Sequence, residues 1–414
     1  MAIARRRRGS AIADDGPAPK IALLRGGGLG DFLSTTAALK ALRASLPLAS
    51  ITLLTNPSLA AFAQRYGEID RIVVSPPFPG VIDGTPDEAA LADFFRAMRL
   101  ERFDLAMQWH GGGTQSNDFL RRLGARLTIG FKGEDAQPLD RWIPYDLRQH
   151  ESLRYLDLLR LVGIHASDFS TYLPLLPSDF EELAAVGDRL DLQALQRGRC
   201  MGIHASAGGM SRRWKPQHFA HVADRLLAEF DLEYVVVTAG AGQEPDSAAV
   251  IQSMQARDRA VDLGGRISLG ALVALISQLR FFLSNDSGPA HMAVALDTPS
   301  VVVFGSAHPS NWAPLDRTWH RVVANWSTPC RWMENDGCPD TPEVPCLMGL
   351  DPEEVLRESR QLLSLLEQLR WPAHRGIGLE AAVKAGGEET APAAAPSLPP
   401  PGLHHGRGRH NREL

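Results

Sequence analysis

Short apolar runs, each followed by a stretch with helical spacing, recur along most of this chain and leave few architectures open. Lys20–Leu24, Ser50–Thr55 and residues 71–75, 103–109 and 126–131 read as strands. Between them, residues 31–45, 57–66, 88–100 and 150–162 carry apolar positions at helical spacing; in the last, Leu153, Leu156, Leu159 and Leu161 form one face. The rhythm restarts after Pro174 and Pro177 with Cys200–His204, residues 234–239, Phe281–Asn285 and Ser300–Phe304. Such near-continuous apolar runs suit parallel strands covered on both faces by helices. Strand–helix alternation predicts α/β architecture, and two separate series predict two doubly wound, Rossmann-like domains facing across a cleft. Ligand then belongs in that cleft, at the carboxyl ends of the strands.

Length agrees, because 414 residues exceed one ordinary core. The expected division is a tail over 1–19, a first domain over 20–177, a second over 178–350, a closing helix over 351–372 and a tail over 373–414. Both tails lack apolar periodicity, and the second is rich in Ala, Pro, Gly and His, so both are expected to be disordered. The net charge of −5 gives no global reason to bind nucleic acid. Arg5 to Arg8 form a basic cluster that reads as a solvated tail or as a weak contact with acidic lipid. No apolar stretch follows it to make a signal peptide, and no window approaches the roughly 18 apolar residues of a membrane span. Four cysteines suit a cytoplasmic protein, since a secreted chain of this size usually carries a larger framework.

The first strand runs into Arg25-Gly26-Gly27-Gly28-Leu29-Gly30-Asp31. A dinucleotide fingerprint places Gly or Ala where Asp31 stands, and a carboxylate there would repel a pyrophosphate at the helix N-terminus. The second strand also lacks the acidic residue such a site needs, ending Thr55-Asn56-Pro57. Asp31 is therefore either a plain cap of its helix or a carboxylate held for chemistry.

Two further segments stand with the first, Gly28-Leu29-Gly30-Asp31-Phe32-Leu33-Ser34-Thr35. One is His204-Ala205-Ser206-Ala207-Gly208-Gly209-Met210-Ser211-Arg212-Arg213-Trp214-Lys215-Pro216. The other is Ser284-Asn285-Asp286-Ser287-Gly288-Pro289-Ala290-His291-Met292-Ala293, followed by Thr298-Pro299 and Phe304-Gly305. In order and spacing, over about residues 20–369, the chain resembles glycosyltransferase family 9, the ADP-heptose:lipopolysaccharide heptosyltransferases and their relatives.

The resemblance implies the GT-B fold and an inverting, metal-independent transfer of a sugar, heptose from ADP-heptose, to a lipopolysaccharide-core or similar glycan. The implied partners are the nucleotide-sugar donor and a glycan or glycolipid acceptor, with a peripheral contact at the inner face of the inner membrane. Asp31 falls on the family's general base. Arg213 falls on the basic residue facing the donor phosphates, with Lys215 as a nearby alternative. Asp286, Ser287, Gly288 and His291 fall on the nucleotide-binding motif, and Glu244 on the acidic residue that meets the nucleoside. Gly28 and Gly30 belong to the loop that carries Asp31. Chemistry asks for the same parts, namely a base for the acceptor proton and donors for the departing diphosphate. The helix begun by Ser287 and Gly288 offers free amides, and Ser206 to Gly209 could form a second nest of them.

Other readings stay open for single residues. Arg213 could be a surface cation, Asp286 an N-cap, and His291 or His204 a packed neutral imidazole, while Trp214 is expected to close its loop against the domain. Cys330, Cys338 and Cys346 are too widely spaced for a zinc knuckle and lack an obvious fourth ligand, so no metal is expected there. Residues 351–369 read as a strong helix that, in GT-B proteins, crosses back onto the first domain. The competing functions are a GT-B sugar-nucleotide epimerase and a non-catalytic nucleotide-sugar-binding protein.

Overall fold

The computed structural model describes residues 18–328, 340–341 and 343–369. The expected terminal tails fall almost entirely outside them, as do Cys330 and Cys338. The first sheet contains β1 (Lys20–Leu24), β2 (Ser50–Thr55), β3 (Arg71–Val74), β4 (Leu105–Gln108), β5 (Leu127–Lys132) and β6 (Arg141–Pro144). Its order is β3-β2-β1-β4-β5-β6, with every pairing parallel. The second contains β7 (Cys200–His204), β8 (Tyr234–Thr238), β9 (Ala260–Asp262), β10 (Phe281–Asn285), β11 (Ser300–Phe304) and β12 (His320–Ala324). It runs β12-β11-β10-β7-β8-β9, again all parallel, so the same winding is used twice. Each sheet reverses its order beside its first strand, between β1 and β4 and between β7 and β10, where doubly wound sheets open a crevice.

The central strands are fully buried, as covered parallel strands require. The first sheet's core continues into the second half without a break. Ile21, Leu105 and Leu158 belong to the same apolar cluster as Leu275, Phe282 and Met292. Trp214, Phe219 and Leu283 lie in a second cluster on the other side of the second sheet.

The helix expected over 31–45 is broken. One helix spans Leu29–Leu33 and the next Thr36–Ser45. Ser34, Thr35 and Thr36 each donate their hydroxyl to a carbonyl three residues back, at 2.7, 2.7 and 2.8 Å. Three consecutive hydroxyls competing for helix carbonyls explain the break, which leaves Asp31 on a short helix of its own.

The closing helix, Pro352–Gln368, forms where expected, with Asp351 as its cap and Pro352 in its first turn. Among the described residues it does not cross back onto the first sheet. Val355, Leu356, Leu362, Leu363 and Leu366 are buried in the second cluster, against the helix Pro216–Glu229 and the strands β11 and β12. Its leucines face an apolar surface already adjacent in space, so the second half is closed by its own final helix. Among the described residues no helix is long and apolar enough to cross a membrane.

Candidate active site

β1 ends at Leu24, Arg25 follows it, and the chain then turns through Gly26–Gly28 into the helix Leu29–Leu33. Asp31 sits in that helix's first turn, and its Oδ2 accepts from the Gly28 amide at 2.9 Å. Its Oδ1 lies 3.1 Å from Nη2 of Arg25. The Asp31 side chain is 39% exposed, whereas that of Arg25 is 3% exposed. Arg25 also donates to the Trp109 carbonyl at 2.6 Å and lies over the Tyr155 ring. Beneath it, Glu151 accepts from both Arg154 and Tyr155. Burial works against the Arg25 charge, but the electrostatics of Tyr155, Asp31 and Glu151 prevail and hold its guanidinium above its ordinary value. A permanently charged base plate therefore holds one carboxylate oxygen and leaves the group open to the cleft.

β10 ends at Asn285, whose side chain accepts from the Trp214 amide at 2.9 Å and donates to the Ala205 carbonyl at 2.6 Å. This pins the loop after β7 to the end of β10. Asp286 and Ser287 follow, and the helix Gly288–Ala295 begins with Pro289 in its first turn. Asp286 is buried, 3.8 Å from Arg212 and 3.7 Å from His291. Burial pushes its carboxyl up, against the pull of His291 and Arg212. The Ser287 hydroxyl is buried without a hydrogen-bond partner among the described residues.

These two helix starts face each other. Gly28, Leu29, Gly30 and Asp31 from the first half and Arg212, Asp286, Ser287, Gly288 and His291 from the second line one cleft of about 530 Å³. Gly30 has a steric reason to be glycine, since a Cβ there would lie 2.7 Å from the His291 ring. His291 in turn stacks edge-on against Trp312. His291 is thus at the interface of the halves and lines the cleft.

The remaining sequence candidates are placed differently. Arg213 is not among the residues that line the cleft; it donates to the Ala207 carbonyl at 3.0 Å and pairs with Asp246 at 3.2 Å. Arg212, one residue earlier, occupies the cleft instead. The short turn Met210–Arg212 sets which of the two lines the cleft, and no residue pattern announces that choice. Ser206 is fully buried, its hydroxyl holding the Gly240 amide at 3.0 Å and His204 at 3.1 Å. Its side chain therefore joins two loops rather than facing the cleft. His204 is a core histidine, bonded to Thr238 and pushed down to about 4 by burial. Lys215 is exposed at the start of the helix Pro216–Glu229 and is not part of the cleft lining. Glu244 is exposed after β8, on the same carboxyl edge of the sheet, and accepts from the Gly242 amide at 2.9 Å. Hydrogen bonds from its own amide and that of Gly242 lower its carboxyl. Trp214 is buried against Phe219 and His218 and closes its loop, as expected.

Arg25 and Trp312 escaped the sequence reading. Arg25 was legible as the residue that follows the first strand at a switch point. Trp312 follows β11, and the rule that ligands sit beyond the carboxyl ends of strands could have flagged it. Asp340 joins the cleft lining as well, its carboxylate taking the Ser211 amide at 3.1 Å. The loop after β7 thus already binds an anionic oxygen through its backbone. Cys346 is buried at the base of the second cluster. Among the described residues no group of three or more His, Cys, Asp or Glu side chains could hold a metal ion.

Two parallel sheets of identical winding, with one cleft at their switch points, define the GT-B class of fold. The chain belongs to glycosyltransferase family 9 (heptosyltransferase), whose model matches residues 91–337. Among curated proteins it is similar to lipopolysaccharide heptosyltransferase 2 of Salmonella typhimurium, 29% identical over 163 residues. That match covers 38% of this chain and 44% of the Salmonella protein, less than half of either. Among solved structures it is similar to the glycosyl transferase family 9 protein of Veillonella parvula, with TM-score 0.69 and 19% identity over 85% of this chain and 99% of that one. It is also similar to the E. coli ADP-heptose lps heptosyltransferase II, with TM-score 0.67 and 20% identity over 84% and 99%. At such identities the likeness shows the shared fold.

Proposed function

We propose that this protein transfers a sugar, heptose from ADP-heptose, to a lipopolysaccharide-core or similar glycan, with inversion and without a metal. The observation that carries the reading is the facing of two unlike ends across one cleft. Asp31 lines one side; the other carries Arg212 and the amide-bearing helix start at Ser287 and Gly288. The acceptor hydroxyl attacks the anomeric carbon and gives its proton to the free face of the Asp31 carboxylate. The bond from that carbon to the diphosphate breaks, and the negative charge passes to the phosphate oxygens. Arg212, the helix amides and the unpartnered Ser287 hydroxyl receive it. Glu244, on the same sheet edge, meets the nucleoside. Arg25 acts through Asp31 by fixing one carboxylate oxygen. The acceptor is reached from the cytoplasm, at the inner face of the inner membrane.

The test is Asp31→Asn, which removes the base while keeping the size of the side chain. Turnover of ADP-heptose with a deacylated lipopolysaccharide-core acceptor is expected to fall about 100-fold or more, with ADP affinity retained. Near-normal turnover would falsify the assignment of Asp31.

A further inference from the structure

A second cavity, about 420 Å³, adjoins the donor cleft and shares His291 and Trp312 with it. It lies between the segment 167–171, which joins the halves, and residues 311–316 after β11. Leu33 and Ser34 form part of its wall, so it opens within one helical turn of Asp31. We propose that this cavity seats an uncharged pyranose of the acceptor, and that it selects against acceptors bearing a carboxylate or phosphate there. The inference rests on the reading of the neighbouring cleft as the site of glycosyl transfer.

Its lining has the two kinds of surface a neutral sugar needs. Trp312 and Phe169, the latter 47% exposed, offer flat faces for the C–H side of a ring. The exposed Asp168, Asp297 and Asp316 supply carboxylate oxygens that accept from hydroxyls, the stronger kind of hydrogen bond. No Lys or Arg is among the lining residues. The cations bound to its carboxylates are already engaged, Lys40 with Asp168 at 2.6 Å and Arg154 with Glu151. Two of the lining histidines, His150 and His320, do not supply positive charge either. His150 accepts from the Ser152 amide on Nδ1 and donates from Nε2 to the Ala313 carbonyl at 2.8 Å, the pattern of a neutral ring. His320 is bonded to Ser300 and pushed down to about 4 by burial. An anionic sugar here would meet several carboxylates and no Lys or Arg in the wall, whereas a neutral one meets acceptors for its hydroxyls.

The full chain, with and without ADP, is titrated with methyl α-pyranosides of gluco, manno and galacto configuration and with the matching uronates, read by saturation-transfer NMR. At least one neutral glycoside is expected to bind, and its uronate about tenfold or more weaker. Phe169→Ala and Asp316→Ala should each weaken the neutral glycoside about tenfold, with ADP binding by calorimetry unchanged. Binding of a uronate as tight as its neutral parent would overturn the proposal. So would binding that survives both substitutions, or no neutral glycoside binding at all. Failure of ADP to bind counts against the donor reading instead, and the glycoside titration without ADP still decides this one.

Discussion

Arg212 and Arg213 are adjacent in sequence, yet they serve different partners. Arg213 ties the loop after β7 to Asp246, while Arg212 stands in the cleft near Asp286. If the donor diphosphate is met there, Arg212→Ala should weaken ADP binding about 10- to 100-fold, the scale of a lost charged hydrogen bond. Arg213→Ala should weaken it by less than about fivefold, through loosening of the loop. Calorimetry with ADP decides, and the reverse ranking would return the phosphate role to Arg213. The identity of the motif was legible in the sequence, because Asp286, Ser287, Gly288 and Asp31 do converge on one cleft. The choice between two arginines was not, because it depends on how a three-residue turn rotates. The placement of Ser206 was not legible for a related reason. A hydroxyl in a glycine-rich loop reads as a ligand contact, but here it holds a neighbouring loop amide.

At the level of elements, the helix starts at Leu29 and Gly288 touch because Gly30 has no side chain. Gly30→Ala would push a methyl into the His291 ring and part the two helices by some tenths of an ångström or more. Since small misplacements at a reacting centre are costly, turnover should drop about tenfold or more with the melting temperature little changed. Steady-state kinetics beside a thermal melt checks this, and normal turnover would mean that the contact is incidental. The strands most visible in sequence were the buried ones, whose apolar runs are nearly continuous. β6, β9 and β12 were missed. All three lie at sheet edges and are partly exposed, so Arg141-Trp142-Ile143-Pro144 or Ala260-Val261-Asp262 carries no continuous apolar signal. The closing helix was legible as a helix, but its docking surface was not, because amphipathicity shows that a face is buried without showing against what.

Over the whole molecule, two kinds of buried group join stability to solution conditions and to the contact between the halves. His204 and His320, both pushed down from 6.5 to about 4 by burial, are neutral in the folded protein. A depressed folded value gives stability that is full above the unfolded value and is lost as pH falls toward the folded one. Urea midpoints should therefore decline between about pH 6.5 and about pH 4, and a midpoint flat across that window would show the two rings to be solvated. The second kind is the pair Arg65–Asp179, which spans the junction of the halves with side chains only 7% and 3% exposed. The guanidinium meets both carboxylate oxygens, at 3.0 and 3.3 Å, and also the Pro174 carbonyl at 3.0 Å. The Asp179 carboxylate in turn accepts the Leu176 amide at 2.9 Å, fixing the start of the helix Pro177–Ala184. Removing one partner leaves the other as an uncompensated buried charge, which typically costs about 3 to 5 kcal/mol. Arg65→Met should accordingly lower the melting temperature by several degrees. Arg65→Lys, which keeps the charge but loses the two-pronged geometry, should fall between that variant and the native chain. Thermal melts of the three proteins at neutral pH give the ranking. An Arg65→Met protein as stable as the native one would show that the continuous apolar cluster alone holds the halves together.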